Sequence, residues 1–212
     1  MPPSTDEFSE DFAGCKVVSL VDWYSGYNQL ELHKEDRDLT AFSTPISLLR
    51  QTRIPQGATN SVAQFLRVIY KVLFEHIPDR CRPFVNDVAV RGPKDDYSNK
   101  EALPGICRFV LEHILNLEAV LADVERARGT IAGEKSYWCV ASIDVVGYVC
   151  DANGRKPNPS KIAKVLEWGP CKDTTDIRAF LGVSGYFRAW VKNYAQKAEP
   201  LFRLLRRDAP FL

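Results

Sequence analysis

Apolar positions along the chain keep two rhythms, the alternation of a strand and the three-to-four-residue spacing of a helix. Cys15 to Val21 is a β-branched run that predicts a strand, and it ends in an acid, Asp22. Between Asp22 and Gln56, a Ser25-Gly26 turn, the alternating Leu30-Glu31-Leu32-His33 and the run Ala41 to Pro45 predict short strands joined by polar loops. Gln56 to Asn60 predicts a second turn. Val62, Phe65, Leu66, Ile69, Tyr70 and Leu73 then keep helical spacing until Pro78. Phe84 to Val90 predicts a hairpin with Asn86-Asp87 at its turn, because both residues tolerate positive φ. After a polar loop over 91–105, Ile106 to Arg128 carries a helical stripe through Phe109, Val110, Ile114, Leu117, Val120, Leu121 and Val124. Thr130 to Cys150 predicts further strands, clearest at Val145 to Val149.

Strand, helix, paired strands, helix, strand is the order of a split βαβ sheet with helices on one face, an α+β fold. Such a sheet can bring the strand ends at Asp22 and Asp87 together. Pro157-Asn158-Pro159 marks a boundary, and helical patterns over Ser160–Trp168, Thr174–Trp190 and Ala195–Arg206 follow it. The expected organisation is a loose acidic lead-in over 1–14, an α+β domain over 15–156 and a small helical subdomain over 157–212.

Composition narrows the classes. The chain has 212 residues, 45% hydrophobic and 26% charged, enough for a real core and no sign of disorder. No apolar stretch nears the roughly 18 to 20 residues that cross a bilayer, and the acidic N-terminus lacks a basic leader, so the expectation is an intracellular protein without a membrane partner. Six cysteines form no CxxC pair and keep no zinc spacing with His33, His76 or His113; reduced, mostly buried thiols are expected. A net charge of +1 gives no global pull toward nucleic acid, which leaves the question to a local patch. Arg188, Lys192, Lys197, Arg203, Arg206 and Arg207, interleaved with aromatics and opposed chiefly by Glu199 and Asp208, form one, unless they are only the solvated face of an amphipathic helix.

Two acids on adjacent strand ends suit magnesium, which binds through few carboxylates and completes its shell with phosphate oxygens. A pair of such ions about 4 Å apart serves nucleotidyl transfer. The residues around the acids carry a family resemblance. The runs Leu20-Val21-Asp22-Trp23-Tyr24-Ser25-Gly26-Tyr27-Asn28-Gln29, Thr40 to Pro45, Ile54 to Phe65, Phe84-Val85-Asn86-Asp87, Gly133-Glu134-Lys135, Val146-Gly147-Tyr148 and Phe180 to Phe187 resemble the reverse transcriptase of Gypsy-type LTR retrotransposons, fungal elements most of all. The likeness covers nearly the whole chain in order and spacing.

That resemblance implies a palm with partial fingers over 15–156, a thumb over 157–212, and RNA-directed DNA polymerase chemistry with Mg2+ or Mn2+, a dNTP and an RNA or DNA primer-template duplex. It makes Asp22 and Asp87 metal-binding catalytic aspartates. Tyr27 becomes a screen against the ribose 2′-hydroxyl, Gln56 and Gly57 a nucleotide-contacting loop, Phe84 the aromatic of the YxDD motif, and Lys135 a lysine near the leaving pyrophosphate. Val146, Gly147 and Tyr148 fall in the primer-grip hairpin, and Arg188, Lys192 and Lys197 on a duplex-facing thumb. Tyr27, Phe84 and Tyr148 equally suit a core, and Lys135 a surface.

Asn86 departs from the family, standing where a second aspartate binds both metals. An amide brings one neutral carbonyl oxygen in place of a charged pair, and transition-state charge stabilisation is worth about 3 to 4 kcal/mol for even one donor. The expected cost is on the order of a hundredfold in activity. Only 21 residues precede Asp22, so basic fingers residues are expected to be missing, as are RNase H and integrase beyond the last residues. The expectation is therefore a truncated, catalytically impaired reverse transcriptase domain. The alternatives are a domesticated, non-enzymatic module that binds nucleic acid or protein, and a retroelement fragment without function.

Overall fold

The computed structural model describes residues 5–206. The chain divides into two compact units, Met1–Lys156 and Pro157–Leu212.

The first unit starts with helix α1 (Thr5–Phe12), and here the sequence expectation of a loose lead-in fails. Phe8 and Phe12 lie one turn apart, pack at 5.3 Å between ring centroids and are fully buried, while Asp6 and Glu7 sit in the first turn, where the helix dipole favours acids. Acidity drew the expectation toward a loop; the i, i+4 phenylalanine pair is what folds the segment.

Strand β1 (Val18–Asp22) leads into the short helix α2 (Gly26–Gln29). A turn of 3₁₀ helix (Lys34–Thr40) precedes the small ribbon of β2 (Phe42–Ser43) and β3 (Leu48–Leu49), followed by helix α3 (Ser61–Val72). Strands β4 (Cys81–Phe84) and β5 (Asp87–Arg91) form a hairpin, and β6 (Glu101–Leu103) pairs with β7 (Ile106–Cys107). Helix α4 (Arg108–Arg126) starts two residues later than its apolar stripe suggests, because Ile106 belongs to that ribbon. Strands β8 (Tyr137–Val140), β9 (Ser142–Val145), β10 (Tyr148–Asp151) and β11 (Gly154–Pro157) follow.

The main sheet is antiparallel in the order β4-β5-β1-β8; a second sheet has the order β11-β10-β9. Alternation assigns the main sheet's faces. Val21, Cys81, Val88 and Val90 turn to Phe65 and Ile69 of α3, to Leu73 at its C-cap, and to Leu117, Val120 and Val124 of α4 in one buried cluster. Ser19 shares that face, its Oγ 2.8 Å from Nε2 of the fully buried His113, which burial holds uncharged by lowering its pKa. Arg82, Phe84, Asp87 and Asp22 fall on the opposite face by register. Both long helices therefore cover one face and leave the other to the acids and α1.

The second unit holds α5 (Pro159–Leu166), α6 (Thr174–Gly185) and α7 (Tyr194–Leu204) around Ile177, Leu181 and Ala198. Asp173 caps α6 by accepting from the N–H groups of Thr175 and Asp176. The helix expected to reach Trp190 ends at Gly185, and Tyr186 to Trp190 continue as turns. All six cysteines are free thiols, but only Cys15, Cys81 and Cys150 are buried, and Cys139 is exposed on the edge strand β8. No described helix is long and apolar enough to cross a membrane.

Candidate active site

The site grows from the end of β1. Antiparallel register sets Asp22 directly opposite Asp87, and Phe84 opposite Asp87 from the other side. Side chains that face each other across antiparallel strands lie on one face with their Cβ atoms about 5 Å apart. The two carboxylates therefore share a small patch of the sheet. Burial raises the Asp87 pKa, and the negative charge of Asp22 raises it further.

The turn differs by one residue from the sequence expectation. Phe84 pairs with Asp87, so Val85 and Asn86 form the two-residue loop and Asp87 opens β5. Val85 takes the left-handed conformation, φ 53°, which a β-branched residue seldom adopts. Pairing with Asp22 wins over the local preference of Asn-Asp for the turn. Asn86 is held by its main chain, its carbonyl accepting from the Trp23 N–H at 3.1 Å. Its side-chain oxygen Oδ1 is buried with no hydrogen-bond donor.

A second segment is tied to the Asp22 main chain. The Asp22 N–H donates to Ser136 Oγ at 3.1 Å, and its carbonyl accepts from the Ala132 N–H at 2.8 Å. Gln29 clasps the same segment, accepting from the Thr130 N–H and donating to the carbonyls of Tyr24 and Thr130. Lys135, exposed at the end of a 3₁₀ turn (Gly133–Lys135), is carried in by these ties. Neither Ser136 nor Gln29 stood out in the sequence, since both act through backbone about a hundred residues away.

The other expected residues divide. Tyr27 lies in α2, buried against the Phe65 ring at 5.1 Å, and joins the main core. Gly26 beside it has no room for a side chain: a Cβ there would come within 2.6 Å of Phe65. Gln56 and Gly57 are exposed in the loop ahead of α3, which is tied to the end of α2 by the Ile54 N–H donating to the Leu30 carbonyl. Phe84 is half-buried against Phe8 at 5.2 Å. Val146 and Gly147 make the β9–β10 turn with φ 48° and 87°, while Tyr148 is buried and donates its hydroxyl to Asp6. Arg188, Lys192 and Lys197 are exposed in the second unit. Arg203 of the same patch is engaged by the Glu199 carboxylate at 2.8 and 2.9 Å; Arg207 and Asp208 lie outside the described residues.

Paired carboxylates at the ends of two central antiparallel strands, with helices behind the sheet, define a polymerase-type palm. The family profile of reverse transcriptase (RNA-dependent DNA polymerase) matches residues 2–183, and the chain belongs to that family. It is 29% identical over 204 residues to the retrovirus-related Pol polyprotein of the Drosophila melanogaster transposon opus, and 26% identical over 206 residues to that of gypsy. The Tf2-3 polyprotein of Schizosaccharomyces pombe is 24% identical over 206 residues, so the likeness runs through insect and fission-yeast elements alike. These alignments take in 96 to 97% of the chain but only 19, 18 and 14% of the relatives, so the chain spans about a fifth or less of their length. Among solved structures, a foamy viral protease-reverse transcriptase in complex with double-stranded DNA superposes with a TM-score of 0.81 at 20% identity, over 97% of this chain and 33% of that one. One in complex with an RNA/DNA hybrid gives 0.74 at 22%, over 96% and 25%. At that identity the likeness establishes the palm and thumb fold.

Proposed function

We propose that this chain is the palm, with partial fingers, and the thumb of a Gypsy-type retrotransposon reverse transcriptase, and that its nucleotidyl-transfer activity is severely reduced. The observation that carries this reading is Asp22 opposite Asp87 with the neutral Asn86 in the adjoining turn. The donors fit a divalent cation in kind: two carboxylates and a buried amide oxygen without a donor are hard oxygen ligands of the sort Mg2+ or Mn2+ accepts. They fall short in charge by one unit, and among the described residues no group of three or more His, Cys, Asp or Glu is placed to hold a metal ion.

In this reading Asp22 and Asp87 hold the cation. A cation held there would supply activation of an attacking hydroxyl and positive charge for the phosphate oxygens. The chain's own groups orient the reactants. Lys135 offers a charge to the leaving pyrophosphate, Gln56 and Gly57 present their loop to nucleotide and template, and Phe84 lines the hairpin beside the carboxylates. Tyr27 screens the sugar by fixing the wall of α2. Its ring is buried, so that role is one of shape. Val146, Gly147 and Tyr148 form the hairpin beside the primer, and Arg188, Lys192 and Lys197 track the phosphates of a primer-template duplex. The working location is the cytoplasm or nucleus.

Primer extension on an RNA template, with Mg2+ or Mn2+, compares the chain with Asn86→Asp. The variant should extend at least about a hundredfold faster. Robust extension by the unchanged chain would refute the predicted loss.

The exposed Arg188, Lys192 and Lys197 also favour a second reading, a non-enzymatic nucleic-acid-binding module on an intact palm core. Titration of a labelled duplex at several salt concentrations should show affinity falling steeply with salt. Binding that ignores salt, or none, would count against a phosphate-tracking surface.

A further inference from the structure

Helix α1 joins the two hairpins that the proposed function uses. On one side its Phe8 ring packs against Phe84, the residue just before the Val85-Asn86 turn. Asp11 adds an ion pair to Arg82 Nε at 2.7 Å on the same strand. On the other side Asp6 Oδ1 accepts the hydroxyl of Tyr148 at 2.7 Å, the residue just after the Val146-Gly147 turn. Arg155 on β11 reinforces that contact, donating from Nη1 to the Asp6 carbonyl at 3.0 Å and to Ser9 Oγ at 2.9 Å, with its guanidinium over the Tyr148 ring. Cys150 Sγ–H donates to the Ser9 carbonyl, and the Gly14 N–H to the Asp151 carbonyl, so β10 is fastened along its length.

The β9–β10–β11 sheet is separate from the main sheet. Chain continuity through Ala141 links β9 to β8, β9 also lies against β1, and the middle strand β10 pairs with β9. The α1 contacts add a tie that joins the two hairpins directly, at the two residues that flank the turns: Phe8 at Phe84 and Asp6 at Tyr148. Both ends of the gauge are buried or half-buried, so their geometry is set by packing and not by solvent-exposed charge alone.

We propose that α1 fixes the spacing between the 85–86 and 146–147 turns, with Asp6 and Phe8 as positioning residues. Its consequence for duplex binding rests on the function proposed above; the positioning itself does not. Asp6 touches no reactant. It acts through Tyr148 and through Arg155 of β11, whose Nη1 donates to the Asp6 Oδ1 at 3.3 Å, holding the β9–β10 turn against α1.

Hydrogen exchange on the full chain tests the gauge directly. Tyr148→Phe should speed exchange over 145–149 about tenfold, the scale of one lost hydrogen bond, Asp6→Ala, which also loses the Arg155 pair, at least as much, and the double variant should go no further than Asp6→Ala. Phe8→Leu, a mild volume change that leaves the fold standing, should loosen 84–88 and 145–149 together. Exchange over 145–149 that stays within about twofold of the unchanged chain in Asp6→Ala would overturn the proposal, as would a double variant faster than Asp6→Ala by the full Tyr148→Phe factor. A labelled primer-template duplex is the second readout. If the unchanged chain binds it with salt dependence, Asp6→Ala should weaken it about threefold or more while the melting temperature holds within a few degrees. Faster exchange with unaltered duplex affinity would overturn positioning for the duplex. Failure of the unchanged chain to bind duplex would refute the functional reading, and the exchange result would still decide the gauge.

Discussion

The hairpins β4–β5 and β9–β10 are built alike and stand in different surroundings. Each has a two-residue turn with valine first in the left-handed region, Val85 at φ 53° and Val146 at φ 48°. In β9–β10 the second turn residue is Gly147 at φ 87°, which suits positive φ, and the strand beyond is tied down by Tyr148 and α1. In β4–β5 the second is Asn86, whose side-chain oxygen is buried without a donor, followed by an Asp87 that burial and Asp22 push toward its neutral form. One turn is satisfied as it stands. The other holds polar groups in a state that local stability does not favour, the usual mark of a site arranged for a ligand.

The largest break in this comparison comes from removing the shared anchor. Phe8→Ala opens a cavity against Phe12 and Phe84 and should cost about 3 to 5 kcal/mol in denaturant unfolding; a loss under 1 kcal/mol would mean that α1 is dispensable. Exchanging turn chemistry acts more gently. Gly147→Ala places a Cβ at φ 87° and should cost roughly 1 to 2 kcal/mol, whereas Val85→Asn relieves a β-branched residue at φ 53° and should gain about 0.5 to 1 kcal/mol. Equal effects of like sign would erase the distinction between the turns.

The smallest effect concerns charge. The Asp87 carboxyl has its folded pKa raised above the ordinary 3.8, so the stability it contributes is complete below that value and is lost as pH rises through the folded pKa. At neutral pH the ionised group therefore works against the fold. Asp87→Asn should raise the melting temperature at pH 7, with the advantage vanishing toward pH 4. A lower melting temperature at pH 7 in the variant would show that the carboxylate is stabilised by something other than solvent.

Much of the fold was readable because long periodic segments speak for themselves. The stripe from Phe65 to Ile69, with Leu73 at the cap, and that from Leu117 to Val124 are the buried faces of α3 and α4, and Cys15 to Val21 takes in all of β1 but its last residue, Asp22. Short and composition-biased segments were misread. Helix α1 looked like an acidic loop because only two phenylalanines carry its burial, and the 85–86 turn was misplaced by one residue because cross-strand pairing with Asp22 overrides turn preference. Of the site, the carboxylates and the Asn86 departure were legible locally. The supports were not: Ser136 on the Asp22 amide, Gln29 on Thr130 and Asp6 on Tyr148 join positions 101 to 142 residues apart, which no local pattern records. Tyr27 and Tyr148, for which the resemblance implied a place beside nucleotide or nucleic acid, are buried aromatics.

The central claim is that Asp22 and Asp87 form a cation site weakened by one missing charge at position 86. Titration of Mn2+ followed by electron paramagnetic resonance measures this without primer, template or nucleotide. The account predicts weak binding by the unchanged chain, at least about tenfold tighter binding by Asn86→Asp, and loss of the site in Asp22→Asn. Equal Mn2+ affinity in the unchanged chain and Asn86→Asp would contradict it.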